Sequence, residues 1–178
     1  MIFPRALSLI LALMSFPFSL LATGLATPRI EVFKARRELQ LFDGAQLIKT
    51  YHVALGANPV PPKEREGDLA TPEGTYFICQ KNPKSKFHLS LGINYPNAAD
   101  AARGLKAGLI TNAEYNAILQ AETAHKAPPW NTNLGGEIYI HGGGTATDWT
   151  WGCVALTDPE IEELYNLVPV NTPVTIHP

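Results

Sequence analysis

Ile140-His141-Gly142-Gly143-Gly144, followed by Asp148-Trp149-Thr150-Trp151-Gly152-Cys153-Val154-Ala155-Leu156, is the stretch on which the reading of this chain turns. It sets a histidine at the end of an apolar run and a cysteine twelve positions later in a glycine-flanked turn. Those are the parts of a thiol nucleophile and its base. A cysteine is only slightly ionised near neutral pH, and an imidazole that takes its proton makes it an effective nucleophile. Gly142 to Gly144 let the backbone pass close to the imidazole with no Cβ in the way, and Gly152 allows a tight approach to Cys153. Backbone N–H groups around Trp151, Gly152 and Cys153 are candidates to converge on one oxyanion. A plain core cysteine, by contrast, needs neither a flanking glycine nor an upstream His-Gly turn.

Outward from that stretch, Glu137 to Ile140 reads as the strand that delivers His141. Beyond Cys153, Thr157 and Glu160 form a capping-box pattern with Pro159 in the first turn, and Ile161, Leu164, Tyr165 and Val168 make an apolar stripe: a helix. Val174 to Ile176 predicts a closing strand. Upstream, Arg29–Lys34, Glu38–Phe42, Gln46–Leu55, Gly74–Gln80 and Leu89–Tyr95 read as strands, with Asp43-Gly44 as a hairpin turn. Asn58 to Asp68, rich in Pro and charge, reads as a loop. Helical character lies between Ala98 and Ala124, clearest at Asn112–Ala124, where Tyr115, Ile118 and Leu119 share a face, as an insertion between strands. The pattern is mainly β: a β-rich, sandwich-like domain with a few short helices.

Residues 1–26 carry one early positive charge at Arg5, an apolar run from Ala6 to Leu21, and small residues at Gly24 and Ala26. This is read as a secretory signal peptide cut after Ala26, with Ala22 as a second candidate. A membrane anchor is disfavoured because Ser8, Ser15, Pro17 and Ser19 interrupt the run, so no stable span is expected after cleavage. Fourteen Lys plus Arg against sixteen Asp plus Glu give a net charge of -2 with no basic run, which argues against nucleic acid. The two cysteines of an exported chain are by default a disulfide. Cys79, however, lies in an apolar strand interior, where a cysteine serves as a small hydrophobe, and a Cys79–Cys153 bridge would abolish the chemistry above.

The His-Gly and Gly-Cys elements do not stand alone. Gly67-Asp68-Leu69-Ala70-Thr71-Pro72-Glu73-Gly74-Thr75-Tyr76 and Gly92-Ile93-Asn94-Tyr95-Pro96-Asn97 precede them in order. Together, over residues 28–177, they resemble the catalytic domain of the L,D-transpeptidases, the YkuD-type cell-wall enzymes. Many members carry an arginine two places after the cysteine, where this chain has Ala155. That departure resembles a YafK/ErfK-like branch, some of whose members are similar to murein hydrolases that release wall-linked protein.

The resemblance implies a periplasmic enzyme. Cys153 attacks the carbonyl of meso-diaminopimelate at the third position of a peptidoglycan stem peptide, expels the following D-alanine and holds the stem as a thioester. His141 acts as base and then as proton donor, with the Gly142 carbonyl orienting its ring and amides of Trp151 and Gly152 at the oxyanion. A second stem's amine as acceptor gives a cross-link, and water gives a trimmed tripeptide; a wall-linked lipoprotein is a further possible partner. No metal and no organic cofactor is implied. Thr150, Trp149 and Tyr95 are candidate walls of the substrate cleft, with a turn role open for Thr150 and a core role open for the aromatics. Asp148 reads as a turn residue or as the orienter of a polar neighbour. His52 and His88 have no partner in the pattern. A hydrolase, and a wall-binding module without turnover, are the alternatives.

Overall fold

A computed structural model describes residues 24–178; the expected leader at residues 1–26 lies outside them except for its last three positions. The strands are β1 (Pro28–Phe33), β2 (Glu38–Asp43), β3 (Gln46–His52), β4 (Gly74–Ser85), β5 (His88–Ile93), β6 (Tyr139–His141), β7 (Val154–Ala155) and β8 (Pro173–His177). The helices are α1 (Ala98–Lys106), α2 (Asn112–Thr123) and α3 (Asp158–Leu167). In β1 and β2 the alternate residues Ile30, Val32, Leu39 and Leu41 are fully buried, as a sheet with one wet face requires. β1, β2 and β3 form an antiparallel meander turned at Asp43-Gly44, with Gly44 at φ 56. β8 then pairs parallel to β1 and antiparallel to β4, joining the meander to a second run. The order is β3-β2-β1-β8-β4-β5-β6-β7.

The two ends of that order meet. Just after β3, Ala54 donates its N–H to the Ala155 carbonyl at 3.0 Å and accepts from the Ala155 N–H at 2.8 Å. Gly56 bridges Thr150 further along. The sheet is thereby rolled into a half-barrel around one core that runs from Ile30 and Tyr51 through Ile78, Leu91 and Ile140 to Ile161 and Leu164. Such closure leaves fewer unpaired strand edges. The α1–α2 insertion between β5 and β6 buries its own small cluster, Ala101, Ile110, Ile118 and Leu134. Asn97 and Asp100 cap α1 reciprocally, and Thr111 and Glu114 do the same for α2.

Several boundaries differ from the expectation. β4 continues through Lys81 to Ser85 because register shifts absorb Pro83, which has no N–H to give the ladder. β3 stops at His52, leaving only bridges beyond. Glu137 stands at φ 54, so β6 starts at Tyr139 rather than at Glu137. The short β7 was not expected at all.

The early sequence pattern forms the wall behind Cys153. The Asp68 carboxylate accepts from the N–H groups of Glu64 (2.7 Å), Arg65 (2.9 Å) and Ala70 (3.1 Å) and pairs with buried Lys63 at 2.8 Å. The Thr71 hydroxyl accepts the Gly56 N–H at 3.0 Å. The loop is thus tied down by its own charges and packed against the turn at Gly152.

Candidate active site

β6 and β7 run parallel, with Ile140 beside Val154 and His141 beside Ala155. Ile140 and Val154 point into the core, each 1% exposed. Because successive side chains alternate faces, His141 and Ala155 point the other way, and Cys153 lies just before β7 with its Sγ against the backbone of Tyr139 and Glu137. The thiol thus abuts the strand that carries His141, two residues beyond Tyr139. The ladder continues past them, with the Leu156 N–H donated to the His141 carbonyl at 2.8 Å.

The imidazole is fixed on several sides. Its Nδ1 is 2.6 Å from the Gly142 carbonyl, which can only accept, so the proton is on Nδ1 and the lone pair of the neutral ring is on Nε2. Phe87 stacks on the ring at 4.6 Å between centroids and 24°, and Trp149 meets it edge-on at 5.6 Å. Burial lowers the imidazole's pKa below its ordinary value, the Gly142 hydrogen bond opposing only in part.

Cys153 is a half-buried free thiol, and Cys79 is free as well. Its Sγ receives the Tyr139 N–H at 3.4 Å and lies 3.6 Å from the Glu137 carbonyl. Burial pushes the thiol up to about 11, against the Tyr139 N–H and the charge of Lys63. Both partners are consequently neutral at neutral pH. A thiol beside a neutral imidazole can act as a nucleophile only if the proton moves as the sulfur attacks.

The turn that carries Cys153 is rigid. Thr150 donates its hydroxyl to the Cys153 carbonyl at 2.7 Å and accepts the Gly152 N–H at 3.2 Å, so it shapes the turn and does not reach the thiol. It is 3% exposed and is no cleft wall. The Gly152 amide, already engaged with Thr150, is a weak oxyanion donor as it stands. Asp148 orients a neighbour: its carboxylate pairs with Arg37 (Nη2 to Oδ2, 2.7 Å) and accepts the Leu55 N–H at 2.8 Å. Despite burial, those partners hold its carboxyl below the usual range.

Tyr95 is displaced from the cleft. It is 0% exposed and its hydroxyl donates to the Leu134 carbonyl at 3.0 Å, which makes it a core residue under the helical insertion. Trp149 remains at the site, its Nε1–H donated to the Gly144 carbonyl at 3.1 Å, beside a shallow depression of about 250 Å³ lined by Gly143, Gly144, Ala146 and Thr147. Trp151 is 82% exposed. His88, without a partner in the sequence pattern, pairs with Glu162 at 2.6 Å.

The family model of the L,D-transpeptidase catalytic domain, YkuD, matches residues 27–176. The chain belongs to this family. Over 145 residues it is 27% identical to the Escherichia coli (strain K12) protein named "Putative L,D-transpeptidase YafK", covering 78% of this chain and 46% of that one. It thus spans about half the length of the curated relative it matches. Among solved structures it is similar to the helical cell shape determining protein Pgp2 from Campylobacter jejuni, with a TM-score of 0.59 and 22% identity over 84% of this chain and 47% of the other. Bd1075 of Bdellovibrio bacteriovorus gives 0.53 and 24%, over 85% and 48%. At these identities the likeness speaks for the fold.

Within this L,D-transpeptidase domain, Ala155 is 0% exposed, pairs with His141 of β6 on one side and is bonded to Ala54 on the other through both its N–H and its carbonyl. A long cationic side chain would have no enclosed room there. Phe87 and Arg37 were not singled out from the sequence. The one signal for Phe87 was an aromatic residue in the polar turn Lys84-Ser85-Lys86, and Arg37 lies 111 positions from its carboxylate.

Proposed function

We propose that this chain is a cysteine-dependent L,D-transpeptidase that acts on peptidoglycan stem peptides through a thioester on Cys153, in the periplasm. The observation that carries the reading is the Cys153 thiol set against Tyr139 of β6, two residues before His141, whose Nδ1 is tied to Gly142 so that Nε2 is the basic nitrogen. As the sulfur attacks the carbonyl of the third stem residue, its proton passes to Nε2. The tetrahedral oxygen takes hydrogen bonds from amides of the Cys153 turn, where Trp151 and Cys153 flank the engaged Gly152. Collapse breaks the amide bond, and the imidazolium protonates the departing D-alanine amine. His141 then removes a proton from the acceptor, whose attack on the thioester frees the thiol.

Intact-mass spectrometry of the protein with disaccharide-tetrapeptide tests this. A stem-peptide adduct, free D-alanine and dimers in the product pool are expected. Tripeptide and D-alanine without dimers would make water the acceptor and the protein a hydrolase. Binding to sacculi with no adduct would overturn the enzymatic reading in favour of a wall-binding module.

Two further outcomes follow from the geometry. Acylation should rise with pH along a limb below the ordinary imidazole value of 6.5 and stay level across neutrality, since His141 must be unprotonated to accept the thiol proton. Alkylation of Cys153 by iodoacetamide, which follows the thiolate, should instead climb past the ordinary thiol value of 9.0. A plateau of alkylation at neutral pH would mean a preformed thiolate–imidazolium pair. Trp151, exposed two positions before the nucleophile, is a platform for the substrate. Trp151→Ala should raise the KM for disaccharide-tetrapeptide about 3- to 10-fold and leave kcat nearly unchanged, as expected for loss of one aromatic contact.

A further inference from the structure

The tip of the β4–β5 hairpin reaches His141 from outside the two strands that carry the site. Phe87 lies in that tip, 43% exposed, with its ring on the imidazole and edge-to-face with Trp149 at 5.3 Å. The Phe87 carbonyl accepts the Gly142 N–H at 3.0 Å, joining the tip to the same turn that orients Nδ1. On the far side, Asp158 of α3 accepts the Gly143 N–H at 2.8 Å, and Glu162 of α3 holds His88, the residue after Phe87, in its left-handed conformation at φ 70. There is no slack between these parts: a Cβ at Gly142 would fall 2.4 Å from the Asp158 carboxylate and 2.9 Å from the Phe87 carbonyl.

A large apolar ring left half-exposed in a lysine-flanked turn has a cost in hydration that its place in the core cluster does not explain, for Phe87 is not part of that cluster. Its contacts are with His141 and Trp149. We propose that Phe87 is a positioning residue for the His141 imidazole, delivered by the β4–β5 hairpin and anchored to α3 through His88 and Glu162. This deepens the reading of His141 as the base and rests on it. The Nδ1 hydrogen bond alone leaves the ring some freedom, because the torsion about an sp³–sp² bond is broad. A flat ring stacked on one face and an indole edge on another remove that freedom and hold Nε2 in one direction. They also keep water from the imidazole face, which favours the neutral ring that the proton transfer needs.

The test separates positioning from turnover. The His141 imidazole is titrated by NMR, assigned with His141→Gln, in the wild type and in Phe87→Ala, Phe87→Leu and Phe87→Tyr; acylation by disaccharide-tetrapeptide is measured in parallel. The other ionisable groups on the elements packed there are Cys153, Lys84 and Lys86 beside Phe87 in the hairpin, His88 with Glu162, and Asp158, Glu160 and Glu163 of α3, and none is changed by these substitutions. In Phe87→Ala the midpoint should move up toward 6.5, the ordinary imidazole value. Acylation kcat should fall about 10- to 100-fold with KM within about twofold, the scale of a misplaced reacting group. Phe87→Tyr, which keeps the flat ring, should restore both, and Phe87→Leu should not. A Phe87→Ala protein with the wild-type midpoint and rate overturns the proposal. If the alanine variant does not fold, a leucine variant identical to wild type does the same. The titration needs no turnover, so a wild type that never forms a thioester would remove the function of His141 as base without deciding how its ring is held.

Discussion

Cys153→Ala is expected to yield a folded protein that never carries a stem-peptide adduct and releases no D-alanine. The sulfur is half-buried, and among the described residues its polar contacts are with the Tyr139 N–H and the Glu137 carbonyl. Removing it costs about 1 kcal/mol of stability, the ordinary price of such a truncation, so the thermal midpoint should move by only a few degrees. The chemical effect is of another order. With the nucleophile gone, neither His141 nor the amides of the turn can form the thioester, and turnover should drop by about 10⁵-fold or more. Intact mass after incubation with disaccharide-tetrapeptide reads this directly. Cys79→Ala is the control and should acylate normally: that thiol is pushed up to about 11 by burial and donates to the Gly92 carbonyl at 3.3 Å. An adduct that survives in Cys153→Ala and disappears in Cys79→Ala would move the nucleophile to β4.

What could be read beforehand was local. The alternation of Ile30 and Val32, the Asp43-Gly44 turn and the Thr157–Glu160 cap each depend on residues a few positions apart, and each has the structure its pattern implies. The His-Gly and Gly-Cys elements were legible for the same reason, each being a short segment with demanding backbone. Features that depend on distant partners were not. β7 is two residues long and exists only because β6 and Ala54 pair with it. The strand expected to end at Gln80 runs on to Ser85, because a register shift in the β4–β5 ladder, invisible in the pattern, accommodates Pro83. Tyr95 could have faced a cleft or the core, since an aromatic residue suits both; the helical insertion, through Leu134, decided it. Phe87 and the Arg37–Asp148 pair reach the site across the fold, and no periodicity records such an approach.

Gly152→Ala should damage both stability and turnover, although the residue takes no direct part in the reaction. Gly152 stands at φ 123, a conformation almost confined to glycine, and a Cβ there would lie 2.6 Å from the Ala70 carbonyl oxygen and 3.1 Å from Ile138 Cδ1. The first of these neighbours is backbone, and Asp68 fixes it through the Ala70 N–H, so no rotamer change relieves the overlap. On its other side, the Gly152 Cα would lie 3.2 Å from a Cβ added to Gly56, which is bonded to Thr71. The backbone strain amounts to about 1–3 kcal/mol and the overpacking to a similar amount. Together they should lower the thermal midpoint by about 5–15 °C in a domain of this size. The turn can escape only by moving away from Ala70, which carries Cys153 with it. Acylation measured well below the new midpoint should therefore still be about 100-fold slower, because displacement of the sulfur by about 1 Å is enough. A variant that melts lower but acylates at the wild-type rate would show that the glycine serves stability alone. One that melts and acylates like the wild type would mean that the turn accommodates the methyl group without displacing Cys153.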